Sequence, residues 1–184
     1  MASKHIFIGL GGSGVNTVAR TKYKIYERME ASSGRTKHDA LNEDYRFIFV
    51  DTDDRDIDNM NKNYKYLYEN GNVDIISARE ELVDLGDQNP HMIYQEAERA
   101  THLKENKRIL EACSKEAAYK MENRSLRYGA SAFRMKSRLA FARKQSDFMG
   151  KLISAINDLT NVERNGGVQS PIHYWVVSSC NGGT

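Results

Sequence analysis

A chain of 184 residues, 40% hydrophobic and 28% charged, is long enough to bury the core of one globular domain and too apolar to stay disordered. Its formal net charge of +2 is too small to point to DNA, RNA or an anionic membrane surface, and no apolar run approaches the about 20 residues that span a bilayer. Two cysteines, Cys113 and Cys180, make no disulfide framework and fit a reducing cytoplasm; the five histidines lack zinc-ligand spacing.

The first element is an apolar run over residues 5–10, rich in β-formers and stopped by glycines. It reads as a buried strand of the parallel-sheet type. A helix follows at once, with Val15, Val18, Ile25, Tyr26 and Met29 at helical spacing and Ser32, Ser33 and Gly34 ending it. Residues 45–50 form a second buried strand that closes on Asp51, Thr52 and Asp53. Residues 54–86 are polar and read as loops with short elements, the alternation of Tyr64, Tyr66 and Tyr68 marking one face of a short strand. Residues 90–127 favour helix and carry few apolar positions, which predicts one long or two short surface helices. Gly129 and Ala130 break that pattern, and Met135, Leu139, Phe148, Leu152 and Ile156 mark another amphipathic helix. A turn at residues 165–167 leads to a third buried strand, 172–178, with Trp175 expected in the core. Strand–helix–strand alternation predicts an α/β fold, doubly wound, with a mostly parallel sheet flanked by helices.

Two glycine-rich turns carry the chemistry. Gly9, Gly11 and Gly14 satisfy the spacing GxGxxG directly after a strand and before a helix. There glycine lets backbone N–H groups approach phosphate, and the helix start adds its positive dipole end. No Gly-Lys-Ser/Thr follows, so this is not a Walker A loop. Gly11, Gly12, Ser13 and Gly14 are the phosphate-binding candidates; Ser13 either donates to phosphate or caps the helix, and Asn16 reaches a base or faces solvent. Asp51 and Asp53 stand at the carboxyl end of a buried strand. They cap and turn the chain, bond a ribose, or hold water and a magnesium ion beside a triphosphate. The third strand runs into a second glycine turn, Asn181, Gly182, Gly183 and Thr184.

Four segments in order, IGLGGSGVNTV (8–18), FVDTDD (49–54), GASAFRMKSRLA (129–140) and VVSSCNGGT (176–184), give the chain a pattern that resembles the tubulin/FtsZ superfamily, and most closely its divergent bacterial members. The resemblance implies a Rossmann-like nucleotide-binding domain that takes GTP or GDP with Mg2+. Asn16 falls where FtsZ-type loops carry an asparagine. The turn at Gly129 and Ala130 is similar to the loop that senses the γ-phosphate, with Arg134 placed to contact that group. Residues 182–184 look like the opening of the family's Gly-Gly-Thr-Gly-Ser/Thr-Gly signature, so residues 1–184 read as the N-terminal part of such a domain, cut inside its second glycine loop. Ser179, Cys180 and Asn181 depart from the small residues usual before that signature, and residues 90–127 look like a helical insertion. The family assembles head to tail into filaments and completes GTP hydrolysis at the interface with an acid from the neighbour. That acid lies outside this stretch, so no catalytic residue is assigned within it. Two other readings start from the same first turn: a ThiF-like, ubiquitin-activating-type ATP-dependent adenylation domain, and an NAD(P)-binding oxidoreductase. The second glycine turn argues against the former, and the long gap from Gly14 to Asp51 against the latter.

Overall fold

The computed structural model describes residues 3–30, 36–68, 71–127, 129, 134–161 and 170–179. Strand β1 (Lys4–Leu10) leads into helix α1 (Gly11–Arg28), and a short helix α2 (Lys37–Asp44) precedes β2 (Tyr45–Asp51). Helix α3 (Asp54–Asn63), the hairpin of β3 (Lys65–Tyr68) and β4 (Gly71–Asp74), and β5 (Leu82–Asp84) come next. Three helices follow, α4 (Pro90–Arg99), α5 (Lys104–Ala112) and α6 (Lys115–Tyr119), then α7 (Arg134–Asn161) and β6 (Ile172–Ser178). The main sheet has the order β5-β2-β1-β6 with every pairing parallel. No helix among the described residues is long and apolar enough to cross a membrane.

Alternation along β1 and β2 divides the core between two faces. Ile6, Ile8, Ile48 and Val50 pack under α7, whereas Phe47 and Phe49 pack under α1 together with Val15, Val18 and Met60. The α/β architecture therefore stands as expected.

Four local expectations need correcting. The polar stretch after α1 contains α2, which a capping box between Thr36 and Asp39 stabilises without a long apolar stripe. Residues 54–86 contain the ten-residue α3 and a fourth strand of the main sheet, β5, too short to register as an apolar run. Residues 90–127 hold three helices, and these are not merely surface: Ile93, Tyr94, Ala97 and Ile109 form a core with Leu139 of α7. Finally, β6 is the outermost strand among the described residues, and Trp175 is 49% exposed there. Its ring stacks on Phe7 at 6.0 Å, and its Nε1 donates to His5 Nδ1 at 3.1 Å. The turn expected at 165–167 and the helix stop expected at 32–34 lie outside the described residues.

Two glycines fix how α1 meets the sheet. A Cβ on Gly14 would overlap the carbonyl oxygen of Val177 in β6, and one on Gly9 would stand 2.8 Å from the carbonyl oxygen of Gly14. Backbone touches backbone there, and neither side can yield. Gly150, inside α7, has nothing within 4 Å of the same position. Gly14→Ala should therefore cost about 1–3 kcal/mol through overpacking, while Gly150→Ala should stabilise by about 0.5–1 kcal/mol through helix propensity. Urea denaturation of the two variants checks this; equal midpoints would show that the Gly14 contact does not constrain the fold.

Candidate functional site

Strand β1 passes into α1 with no intervening loop. Leu10 is the extended N-cap and offers no side-chain cap, the first turn holds no acidic residue, and Gly11 takes a φ of +68°. Glycine adopts that left-handed conformation at little cost. The helix thus opens with uncapped amides and its positive dipole end, a combination suited to an anion. Ser13 is not the cap: it is exposed in the first turn, and its carbonyl accepts the Thr17 hydroxyl at 2.9 Å. Asn16 is half-buried on the same helix.

Asp51 ends β2 and is only 4% exposed. Its Oδ1 accepts the amides of Thr52 at 2.6 Å and Asp53 at 3.3 Å, whereas its Oδ2 is buried with no partner. Burial pushes its pKa up to about 6, helped by the charges of Asp56 and Asp53 and opposed by the two amide hydrogen bonds. Asp53 caps α3 by accepting the Arg55 amide, and the Arg55 guanidinium holds both its oxygens, at 2.9 and 2.6 Å. Those hydrogen bonds keep the Asp53 pKa below the ordinary value.

Sequence reading missed Asp56. A Cβ on Gly12 would overlap the Asp56 carboxylate and lie 3.8 Å from Asp51 Oδ2, so the three residues share one small space. Burial first, and then the charge of Asp53, raises the Asp56 pKa. The available signal was the spacing from Asp53: once a helix begins there, a residue three positions on returns to the side of the cap.

The loop before α7 joins the same region. Gly129 has a φ of +86°, and a Cβ there would stand 3.4 Å from Asp53 Oδ2. The Arg127 carbonyl accepts the amide of Asp54 at 3.3 Å. Strand β6 ends with Ser178 paired to Leu10, so the chain leaves the sheet beside the first glycine turn. Ala130, Asn181, Gly182, Gly183 and Thr184 lie outside the described residues. Arg134 opens α7 on the other face of the sheet, where it lines an apolar cavity of about 410 Å³ with Phe141, Phe148 and Val176. The structure thus gathers Gly12, Asp51, Asp53 and Gly129 about the sheet's carboxyl end, where ligands of open α/β sheets bind.

Comparison with family models matches residues 6–184 to the family described as Tubulin like. The chain belongs to the tubulin-like family. No curated protein and no solved structure gave a match. Membership selects the tubulin-like reading over the adenylation and dinucleotide readings that begin with the same glycine turn. It also gives the acids of this tubulin-like chain a context. No group of three or more His, Cys, Asp or Glu side chains among the described residues could hold a metal ion. A hard cation at Asp51 would therefore need oxygen ligands from a ligand or water, as Mg2+ beside a triphosphate has. The orphaned, buried Oδ2 of Asp51 fits such an ion.

Asp51 also predicts a pH dependence. Its carboxyl ionises near 3.8 when unfolded and near about 6 in the fold. Between those values the native state holds the extra proton, so this group's contribution makes stability fall as pH rises from about 4 to about 6. The total is about 3 kcal/mol. In EDTA, Asp51→Asn should match the wild type near pH 4 and exceed its stability at pH 7. Equal denaturation midpoints for the two proteins at pH 7 would show that the Asp51 charge is not strained.

Proposed function

We propose that this chain binds GTP and GDP with Mg2+ at the β1–α1 turn and assembles head to tail into filaments, with hydrolysis completed at the subunit interface. One observation carries the reading: Gly12, at an uncapped helix start, opens onto the buried unpartnered oxygen of Asp51. Membership of the tubulin-like family supports nucleotide binding and self-assembly.

In this reading the free first-turn amides of Gly11, Gly12 and Ser13 and the Ser13 hydroxyl donate to phosphate oxygens, Gly14 gives the close backbone approach, and Asn16 meets the base. Asp51 faces the metal, and Asp53, held by Arg55, orders water around it. A Mg2+ ion held there would supply neutralisation of the phosphate charge. Gly129 and Ala130 attend the γ-phosphate; Arg134, on the other face of the sheet, takes no part, and Asn181, Gly182, Gly183 and Thr184 are further phosphate-binding candidates. These groups act by position and electrostatics, and the acid that orients the attacking water comes from a neighbouring subunit.

Calorimetric titration with Mg2+ should show GTPγS bound more tightly than ATPγS or NAD, and tight NAD binding without GTPγS binding would end this reading. Gly12→Val should weaken GTPγS by well over tenfold, about 1.4 kcal/mol or more. The fold should survive, because the new side chain meets the mobile end of Asp56 and not backbone. Unchanged affinity in a folded Gly12→Val variant would make the turn purely structural.

A further inference from the structure

The Asp56 carboxylate stands opposite Gly12, across the space that the GTP reading gives to phosphate. It comes from α3, not from the glycine turn or the end of β2, and sequence pattern does not require an acid there. The nearby cation offsets it only in part, because Arg55 places its guanidinium on both oxygens of Asp53. The same Cβ position on Gly12 would lie 3.8 Å from Asp51 Oδ2, which is buried and without a partner. Two carboxylates from different elements therefore converge on one side of Gly12 at an anion-accepting helix start.

We infer that Asp56 is a specificity-determining residue that makes this site reject metal-free nucleotide and accept only the metal complex. The inference rests on the GTP reading above. Without a divalent cation, a polyphosphate brought to Gly12 meets two carboxylates at short range, and repulsion at a partly buried site is poorly screened. With a divalent cation bound, its charge would offset that repulsion, and the same carboxylates would serve it as ligands, directly or through water. Hard divalent cations favour such an all-oxygen shell. The glycine amides would bind phosphate under both conditions, so the discrimination comes from the acids. Asp51 lies at the strand end and supplies the metal-facing oxygen; Asp56 adds the second charge that turns preference into requirement.

The test is equilibrium binding of GTPγS to the wild type, Asp56→Asn, Asp56→Ala and Asp58→Asn, each in Mg2+ and in EDTA. Asp58 is an exposed acid on the same helix, and its variant controls for general charge. Circular dichroism of each variant confirms the fold, and either folded Asp56 variant suffices. The wild type should bind far more tightly in Mg2+. The Asp56 variants should narrow the Mg2+-to-EDTA affinity ratio by about tenfold or more, mainly through tighter binding in EDTA. Asp58→Asn should keep the wild-type ratio. An unchanged ratio in the Asp56 variants, or equal narrowing in Asp58→Asn, overturns the role of Asp56 and leaves the GTP reading standing. No GTPγS binding to the wild type under either condition overturns both.

Discussion

The candidate site depends on one backbone contact. Gly14 of α1 lies so close to the Val177 carbonyl of β6 that no side chain fits between them, and Gly9 meets the Gly14 carbonyl from the strand below. This close approach places the start of α1 over the carboxyl ends of β1 and β6. It follows that the uncapped first turn faces the end of β2, because β1 and β2 are paired in register from His5 with Tyr45 to Leu10 with Val50. Asp51 is the next residue of β2, and it meets Gly12 for that reason alone.

The far end of α1 is held by a different device. Lys22, 2% exposed, donates to the Ile75 carbonyl at 2.7 Å and to both oxygens of Glu81 at 2.7 Å. Glu81 immediately precedes β5, and its own carbonyl accepts the Phe49 amide of β2. A buried ion pair of this kind adds little net stability, since desolvation offsets much of the attraction. Its geometric consequence is larger: α1, β2 and the entry to β5 are tied together below the site. The glycine turn and Asp51 thus sit on packed elements and not on free loops, which is what a preorganised anion site requires. The loop at Gly129 joins them through one hydrogen bond, from the Asp54 amide at the start of α3 to the Arg127 carbonyl.

Much of this was legible in the sequence because burial on both faces leaves a continuous apolar run. β1 and β2 announced themselves that way, β6 showed the same apolar run though it is largely exposed, and the glycines after β1 marked both the turn and the helix that follows. The elements that were missed have their stabilising interactions elsewhere. Helix α3 buries only Met60 and is held at its start by the Asp53 cap, so polar text concealed it. β5 contributes three residues, and the apolar positions around it are interrupted by Asp84 and bounded by Glu81 and Gly86. Trp175 misled for the opposite reason: an apolar strand was read as buried, and strand order, which periodicity does not encode, leaves it outermost among the described residues. Asp56 escaped because acids near a helix start are ordinarily caps, and its neighbour Gly12 is distant in the chain.

The central claim is that the β1–α1 turn, and not the apolar cavity under α7, receives the nucleotide. Amide chemical-shift mapping of the 15N-labelled chain on adding Mg2+ and GTPγS tests it most directly. The account predicts the largest shifts at the amides of Gly11, Gly12, Ser13 and Gly14, with Thr52 and Gly129 following. Shifts confined to Arg134, Phe141, Phe148 and Val176, with the glycine turn unmoved, would contradict it.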